Sequence, residues 1–275
     1  MPELTALQVC QSDPAEHDET LFIIVHQVYE LWFKQILHEL DAAMRHIERD
    51  EQRPARWLLR RILEIQKILV AQISVLETMA PMEFLRFRDH LNPASGFQSL
   101  QFREIEAIGG VGSDRLLAMF AHDPDAAARL KARLGGPTLP LAWERLLRRR
   151  GLDYAEIPAG LPETEAAARR ERRLDTLVKV YSDTAQHGDL HLLAELLLQF
   201  DQGLSNWRWR HIGMVERMIG SKPGTGGSEG VAYLQTTLGK KCFPELWEVR
   251  TRFSRGRAAY GGRAIDEEPS GSGAR

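Results

Sequence analysis

The stretch "LFIIVHQVYELWFKQILHEL" (Leu21–Leu40) decides the fold class. Apolar residues recur through it at Leu21, Ile24, Val28, Leu31, Ile36 and Leu40, a spacing near the 3.6-residue period of a helix that buries one side. The lead-in "HDET" is acidic, which suits a helix N-terminus, where unpaired N–H groups favour negative charge. A helix from about Asp18 to His46 is therefore expected. The same stretch raises a chemical question. Phe22, His26, Tyr29 and Phe33 follow one another at steps of four, three and four, so they share one face. An imidazole on an aromatic stripe needs a hydrogen-bond partner or a metal, because burying it unpaired is costly. From spacing alone, a core histidine bonded to a carbonyl or carboxylate and a functional histidine both stay open.

The helical pattern continues outward. A second long helix is expected from about Pro54 to Met79, with Trp57, Leu58, Ile62, Ile65, Leu69, Ile73 and Leu76 as its stripe and Pro81 as its stop. "MEFLRFRDHL" reads as a short helix, "NPASG" as a turn, and "FQSLQFREIEAI" as a helix closed by Gly109 and Gly110. "HDPDA" divides one or two short helices within residues 114–134, with Asp123 able to cap and Pro124 able to occupy the first turn. Residues 135–163 are rich in Gly and Pro and carry no assigned element. Residues 164–184 are helical by propensity. A long helix runs from about Leu190 to Ile219, where Gly220 ends it, and "VAYLQTTL" and "FPELWEVRTRF" are shorter helical stretches. No alternating β-branched runs and no internal repeat stand out. The expected class is all-α, with helices too long and unequal for a simple four-helix bundle. Residues 1–260 are read as a single domain and the Gly/Ser/Asp-rich residues 261–275 as a disordered tail.

Composition narrows the function classes. The 275 residues are 43% apolar and 27% charged, with enough chain for a large core. Thirty-six basic against 38 acidic residues give a net charge of −2, which argues against a general polyanion-binding surface and hence against a nucleic-acid partner. Basic clusters such as "RLLRRR" and "AARRERRLD" alternate with Glu, Asp or Leu and read as solvated helix faces. The two cysteines, Cys10 and Cys242, form no CxxC, so a disulfide scaffold, a zinc ribbon and covalent c-type haem attachment are excluded. No signal peptide and no stretch of 18 uninterrupted apolar residues is apparent, so no membrane span is expected and a cytoplasmic location is.

Four further features could carry chemistry. His211 lies late in the long helix, flanked by Trp207, Met214 and Val215 at i−4, i+3 and i+4, while Arg208, Arg210 and Arg217 point elsewhere. A neutral imidazole on an apolar helix face can hold a b-type haem iron, and it is also how an ordinary buried histidine looks. The loop "SKPGTGGSEG" brings glycines and Thr225 together, which suits either a mobile surface or a ligand lid; it lacks the spacing of a P-loop. Phe84 and Arg88, at i and i+4, would suit a substrate with an apolar ring and a carboxylate, against the plainer reading of Arg88 paired with Glu83 or Asp89. His187 and His191 are four apart, but Gly188 interrupts them and Asp189 reads as a helix cap, so no metal pair is expected.

Taken in order, "HDETLFIIVHQVYELWFKQILHEL", "SVLETMAPMEFLRFRDHLNPASGFQSLQFREIE", "WRWRHIGMVERMIGSKPGTGGSEG" and "FPELWEVRT" resemble the tryptophan 2,3-dioxygenase family; residues from about 120 to 185 match it loosely. The resemblance implies an all-helical fold, one b-type haem (iron protoporphyrin IX) per subunit, and insertion of both atoms of O₂ across the C2–C3 bond of L-tryptophan to give N-formylkynurenine. It implies that His211 is the axial iron ligand and that His26 is the distal histidine meeting the indole N–H. Arg88 falls on the residue that pairs with the substrate carboxylate, and Thr225 on a loop threonine contacting its ammonium and carboxylate. Phe22 and Phe84 match aromatic pocket positions, and Ser95 a small residue beside the haem. A homo-oligomer, tetramer or dimer, is implied as well. Closure of the Gly-rich loop would exclude water.

Three departures bear on these expectations. The match starts at about "PELTALQ", without the preceding Tyr-x-x-Tyr segment of family members. Phe84 stands where some relatives have Tyr, and Glu229 where Ser is usual. Two alternatives therefore accompany the main reading: a haem-dependent indole monooxygenase forming a 2-oxindole from tryptophan or a substituted tryptophan, and a non-catalytic haem- or indole-binding module.

Overall fold

A computed structural model describes residues 2–91, 99–222 and 231–253. Eleven α-helices lie among the described residues: α1 (Pro2–Thr5), α2 (His17–Glu48), α3 (Gln52–Leu76), α4 (Pro81–Arg88), α5 (Leu100–Ile108), α6 (Pro124–Leu134), α7 (Leu139–Arg149), α8 (Glu163–Ser182), α9 (Thr184–Ile219), α10 (Val231–Thr236) and α11 (Pro244–Glu248). Short 3₁₀ turns follow α4 and α11 and precede α6, and the all-α class is as the periodicity predicts. Ser95, Thr225, Glu229 and the tail at 261–275 lie outside the described residues. No single helix among the described residues is long and apolar enough to cross a membrane.

Three long helices set the frame. The 32 residues of α2 span about 48 Å at 1.5 Å per residue. Residues 49–51 reverse the chain in a tight turn, with Asp50 at φ 60°, a conformation that Asp tolerates better than most residues. Helix α3 then returns antiparallel along α2, tied to it by the Tyr29 hydroxyl donating to the Leu69 carbonyl at 2.8 Å and by Gln72 Nε2 donating to the Val25 carbonyl at 2.9 Å. Helix α9 lies on the other side of α3 and parallel to it. Gln66 Nε2 donates to the Phe200 carbonyl at 3.0 Å, and farther along Glu77 meets Arg210 at 2.9 Å. This crossing is close because position 203 is glycine: a Cβ there would sit 2.2 Å from Gln66 Oε1.

The buried line of α2 differs from the one expected. It runs through Val25, Tyr29, Phe33, Ile36, Leu37, Leu40 and Met44, whereas Ile24 and Leu31 are 42% and 51% exposed. A helix with apolar residues on more than one side offers two stripes at nearly the same period, and α3 selects one of them. In α3 the burial likewise falls on Leu59 rather than Trp57, which is exposed. Residues 135–163, left unassigned above, contain α7, capped by the Thr138 hydroxyl on the Leu141 N–H, with Pro140 in its first turn. Asp123 caps α6 through the Ala126 N–H at 3.0 Å, as expected. Helix α9 begins at Thr184, earlier than expected, and bends at His187; Asp189 accepts from the Leu190 N–H within it.

The Asp201 carboxylate ties the 242–247 stretch to α9. Asp201, fully buried, accepts from the N–H groups of Cys242 at 3.0 Å and Phe243 at 3.1 Å and from Trp247 Nε1 at 2.9 Å. Asp201→Ala leaves these donors without their acceptor, so the variant is expected to lose about 3 kcal/mol or more of unfolding free energy. Urea unfolding checks this, and a loss below about 1 kcal/mol would show that water replaces the carboxylate.

Candidate functional site

The start of α2 and the end of α9 lie beside the end of α3, and α4, α5 and α10 close the space they leave. The result is a cavity of about 830 Å³, within the range of sites for small molecules and cofactors. Its walls are mainly apolar, with Phe22, Tyr29 and Phe33 from α2, Phe84 from α4, Phe102 from α5, and Trp207, Met214 and Met218 from α9. Leu4 and Leu7 border it from the N-terminal stretch. That stretch is held by Glu19, fully buried, whose carboxylate accepts from the N–H groups of Gln11 at 2.6 Å and Ser12 at 3.1 Å.

Both histidines singled out by sequence line this cavity, together with Phe22, Phe84 and Arg88. The His26 ring packs on Phe22 with centroids 4.0 Å apart. Its Nδ1 lies 2.7 Å from the Phe22 carbonyl oxygen. A carbonyl can only accept, so Nδ1 carries the proton and Nε2 keeps a lone pair. Burial lowers the pKa of His26, against the opposing pull of the Phe22 carbonyl and of Glu30, and the neutral acceptor form is the one present at pH 7.

His211 is held differently. Its ring stacks on Trp207, one turn earlier on α9, with centroids 5.0 Å apart and planes 8° from parallel. Burial, then the charges of His26 and Arg103, push its pKa down to about 4. The neutral imidazole is the metal-binding form. Among the described residues no three His, Cys, Asp or Glu converge as a metal site. A metal on His211 would therefore have to bring most of its other ligands with it, as iron does in a porphyrin. A large apolar cavity, a neutral histidine at its wall and buried cations nearby fit such a group.

Arg88 borders the cavity, and Glu83, one of the two acids weighed as its partner, meets Arg86 at 3.0 Å. Ser95 and Thr225, the other two expected site residues, belong to stretches that are not described. His191, outside the cavity, packs on the Tyr181 ring with centroids 4.7 Å apart.

Several residues of the site were not legible beforehand. Arg208, expected only to point away from the apolar face of α9, is 3% exposed, and its Nη2 donates to Glu106 at 2.9 Å. Arg103 reaches the other oxygen of Glu106 at 2.5 Å. The signal available was weak: "FREIE" places Arg103 and Glu106 three apart on a helix that is buried on nearly every side.

Most of the chain is similar to known proteins. The family model described as tryptophan 2,3-dioxygenase matches residues 1–155 and 166–253. A tryptophan 2,3-dioxygenase of Anaeromyxobacter dehalogenans is 44% identical over 91% of this chain and 92% of its own. One from a Nocardioides species is 46% identical over 91% of each chain. One from Caulobacter vibrioides is 40% identical over 92% of this chain and 95% of its own.

Proposed function

The chain belongs to the tryptophan 2,3-dioxygenase family, and from that premise we propose that it inserts both atoms of O₂ across the C2–C3 bond of L-tryptophan, giving N-formylkynurenine. It is an oxidoreductase. The observation that carries the proposal is the pair of neutral imidazoles on one apolar cavity, one of them with a free acceptor lone pair. His211 would hold the iron of a b-type haem, which supplies, when bound, the centre at which O₂ reacts.

The remaining roles belong to the chain. Indole N–H is far too weak an acid for an imidazole to deprotonate outright. His26 Nε2 accepts its hydrogen bond instead, which fixes C2 and C3 in one place and orientation. The Phe22 carbonyl contributes by holding the ring in the tautomer that leaves Nε2 without a proton. Phe22 and Phe84, with ring centroids 5.6 Å apart, provide an aromatic wall for the indole. Arg88 takes the substrate carboxylate, and Thr225 contacts both the substrate's ammonium and its carboxylate. The apolar lining keeps water from the reacting atoms. Ser95 is assigned a place beside the haem.

The assembly proposed is a homo-oligomer, tetramer or dimer, as membership of the family implies. A reducing cytoplasm suits two free cysteines. The test of the reaction is mass spectrometry of the product formed from L-tryptophan under ¹⁸O₂. Two labelled oxygens in a ring-opened product are expected; one label with the ring intact would replace dioxygenation by 2-oxindole formation.

A further inference from the structure

Phe87 on α4 is fully buried, at 0% exposure, and does not border the cavity. Its ring lies behind two phenyl rings that do. It meets Phe84 with centroids 5.3 Å apart and planes at 89°, and Phe22 with centroids 5.8 Å apart and planes at 65°. Phe22 and Phe84 are themselves 5.6 Å apart, so the three centroids form a nearly equilateral triangle. Both contacts of Phe87 are edge-to-face, the arrangement in which the positive edge of one ring meets the negative face of another and the angle between them is held.

Two corners of the triangle stand on the cavity wall and come from different helices, Phe22 from α2 and Phe84 from α4. Neither helix alone fixes the distance between them. Phe87 touches both rings. A close-packed interior leaves no slack behind the wall. A smaller side chain at position 87 opens a void there, and Phe22 and Phe84 gain room to retreat into it. Each step backward widens the space in front of them. The His26 ring packs on Phe22 with centroids 4.0 Å apart, so the imidazole and the aromatic wall share this support.

We propose that Phe87 determines which indole rings the site accepts, by fixing how far Phe22 and Phe84 stand into the cavity. It touches no substrate and acts as a positioning residue. This rests on the reading above that lays the indole against Phe22 and Phe84. Arg88 follows Phe87 directly in the chain and serves the charged end of the substrate. That end is the same in tryptophan and in its ring-methylated analogues. The ratio of kcat/KM between an analogue and tryptophan therefore cancels any disturbance of Arg88 and reports the ring slot.

The test measures kcat/KM of haem-loaded protein for L-tryptophan and for L-tryptophans carrying one methyl group at C4, C5, C6 or C7 of the ring. The wild type is expected to disfavour at least one analogue by about 10- to 200-fold, the range that one methylene commands in an apolar pocket. Phe87→Leu should shrink that penalty by about tenfold or more, toward equal use of the two substrates. Phe87→Met, which fills more of the space with a flexible chain, should fall between Phe87→Leu and the wild type. Equal wild-type use of all the methylated tryptophans would overturn the inference alone. So would a loss in Phe87→Leu and Phe87→Met that is the same for every substrate, the mark of a purely structural residue. No turnover of L-tryptophan by the haem-loaded wild type would overturn the reaction proposed above and this inference with it. The wild-type series needs no variant, and Phe87→Met carries the comparison if Phe87→Leu folds poorly.

Discussion

His211→Ala is expected to abolish the histidine-ligated Soret band and to weaken haem binding by more than the about 10–100-fold that loss of an outer-shell partner costs a metal site. The reasons are geometric and electrostatic. Burial and the nearby charges of His26 and Arg103 bring the His211 pKa to about 4, so the ring is neutral throughout the physiological range and pays no deprotonation cost on binding iron. Its plane lies flat on Trp207, so the orientation of the lone pair is settled before any ligand arrives. Removing the side chain leaves a gap beside Trp207 that free imidazole can enter. His211→Gly with added imidazole should therefore regain a Soret band that His211→Gly alone lacks. Full haem occupancy in His211→Ala, with an unchanged spectrum, would remove His211 from the iron.

The parts of this fold that were legible in sequence are those governed by local period and local caps. Phe22, His26, Tyr29 and Phe33 share a face because of helix geometry alone, and the cavity receives them all. Asp123 and Pro124 start α6 for reasons contained within four residues. What was not legible depends on partners distant in the chain. Whether α2 buries Ile24 or Val25 is decided by where α3 lies, and both choices satisfy the same period. Arg208 resembles any helix-surface arginine until Glu106, 102 residues earlier, is brought against it. Helix α7 is a different case: Thr138, Pro140 and the spacing of Leu139, Ala142, Trp143 and Leu146 spell out a capped amphipathic helix. Its flanking glycines and prolines concealed it.

Arg88→Ala is expected to raise the Michaelis constant for L-tryptophan about 30- to 1,000-fold, the equivalent of about 2–4 kcal/mol for truncating one partner of a desolvated charge pair. The arginine sits one turn after Phe84 on α4, on the wall that also carries Phe22 and His26. An amino-acid substrate whose indole is fixed by His26 must place its charged end somewhere in a largely apolar cavity. A carboxylate buried there without a cation would be strongly disfavoured. Removing Arg88 costs the ion pair and also loosens the register of C2 and C3, so the turnover number should fall together with affinity. Position 84 sharpens the expectation. It is Phe, with no hydroxyl to share the carboxylate, so more of the anchoring falls on Arg88 than it would beside a tyrosine. Indole and 3-methylindole, which lack the carboxylate, provide the control: their binding should be nearly the same in the variant and the wild type. An unchanged Michaelis constant for tryptophan, or an equal loss for 3-methylindole, would take Arg88 out of the carboxylate site and leave it a purely structural part of α4.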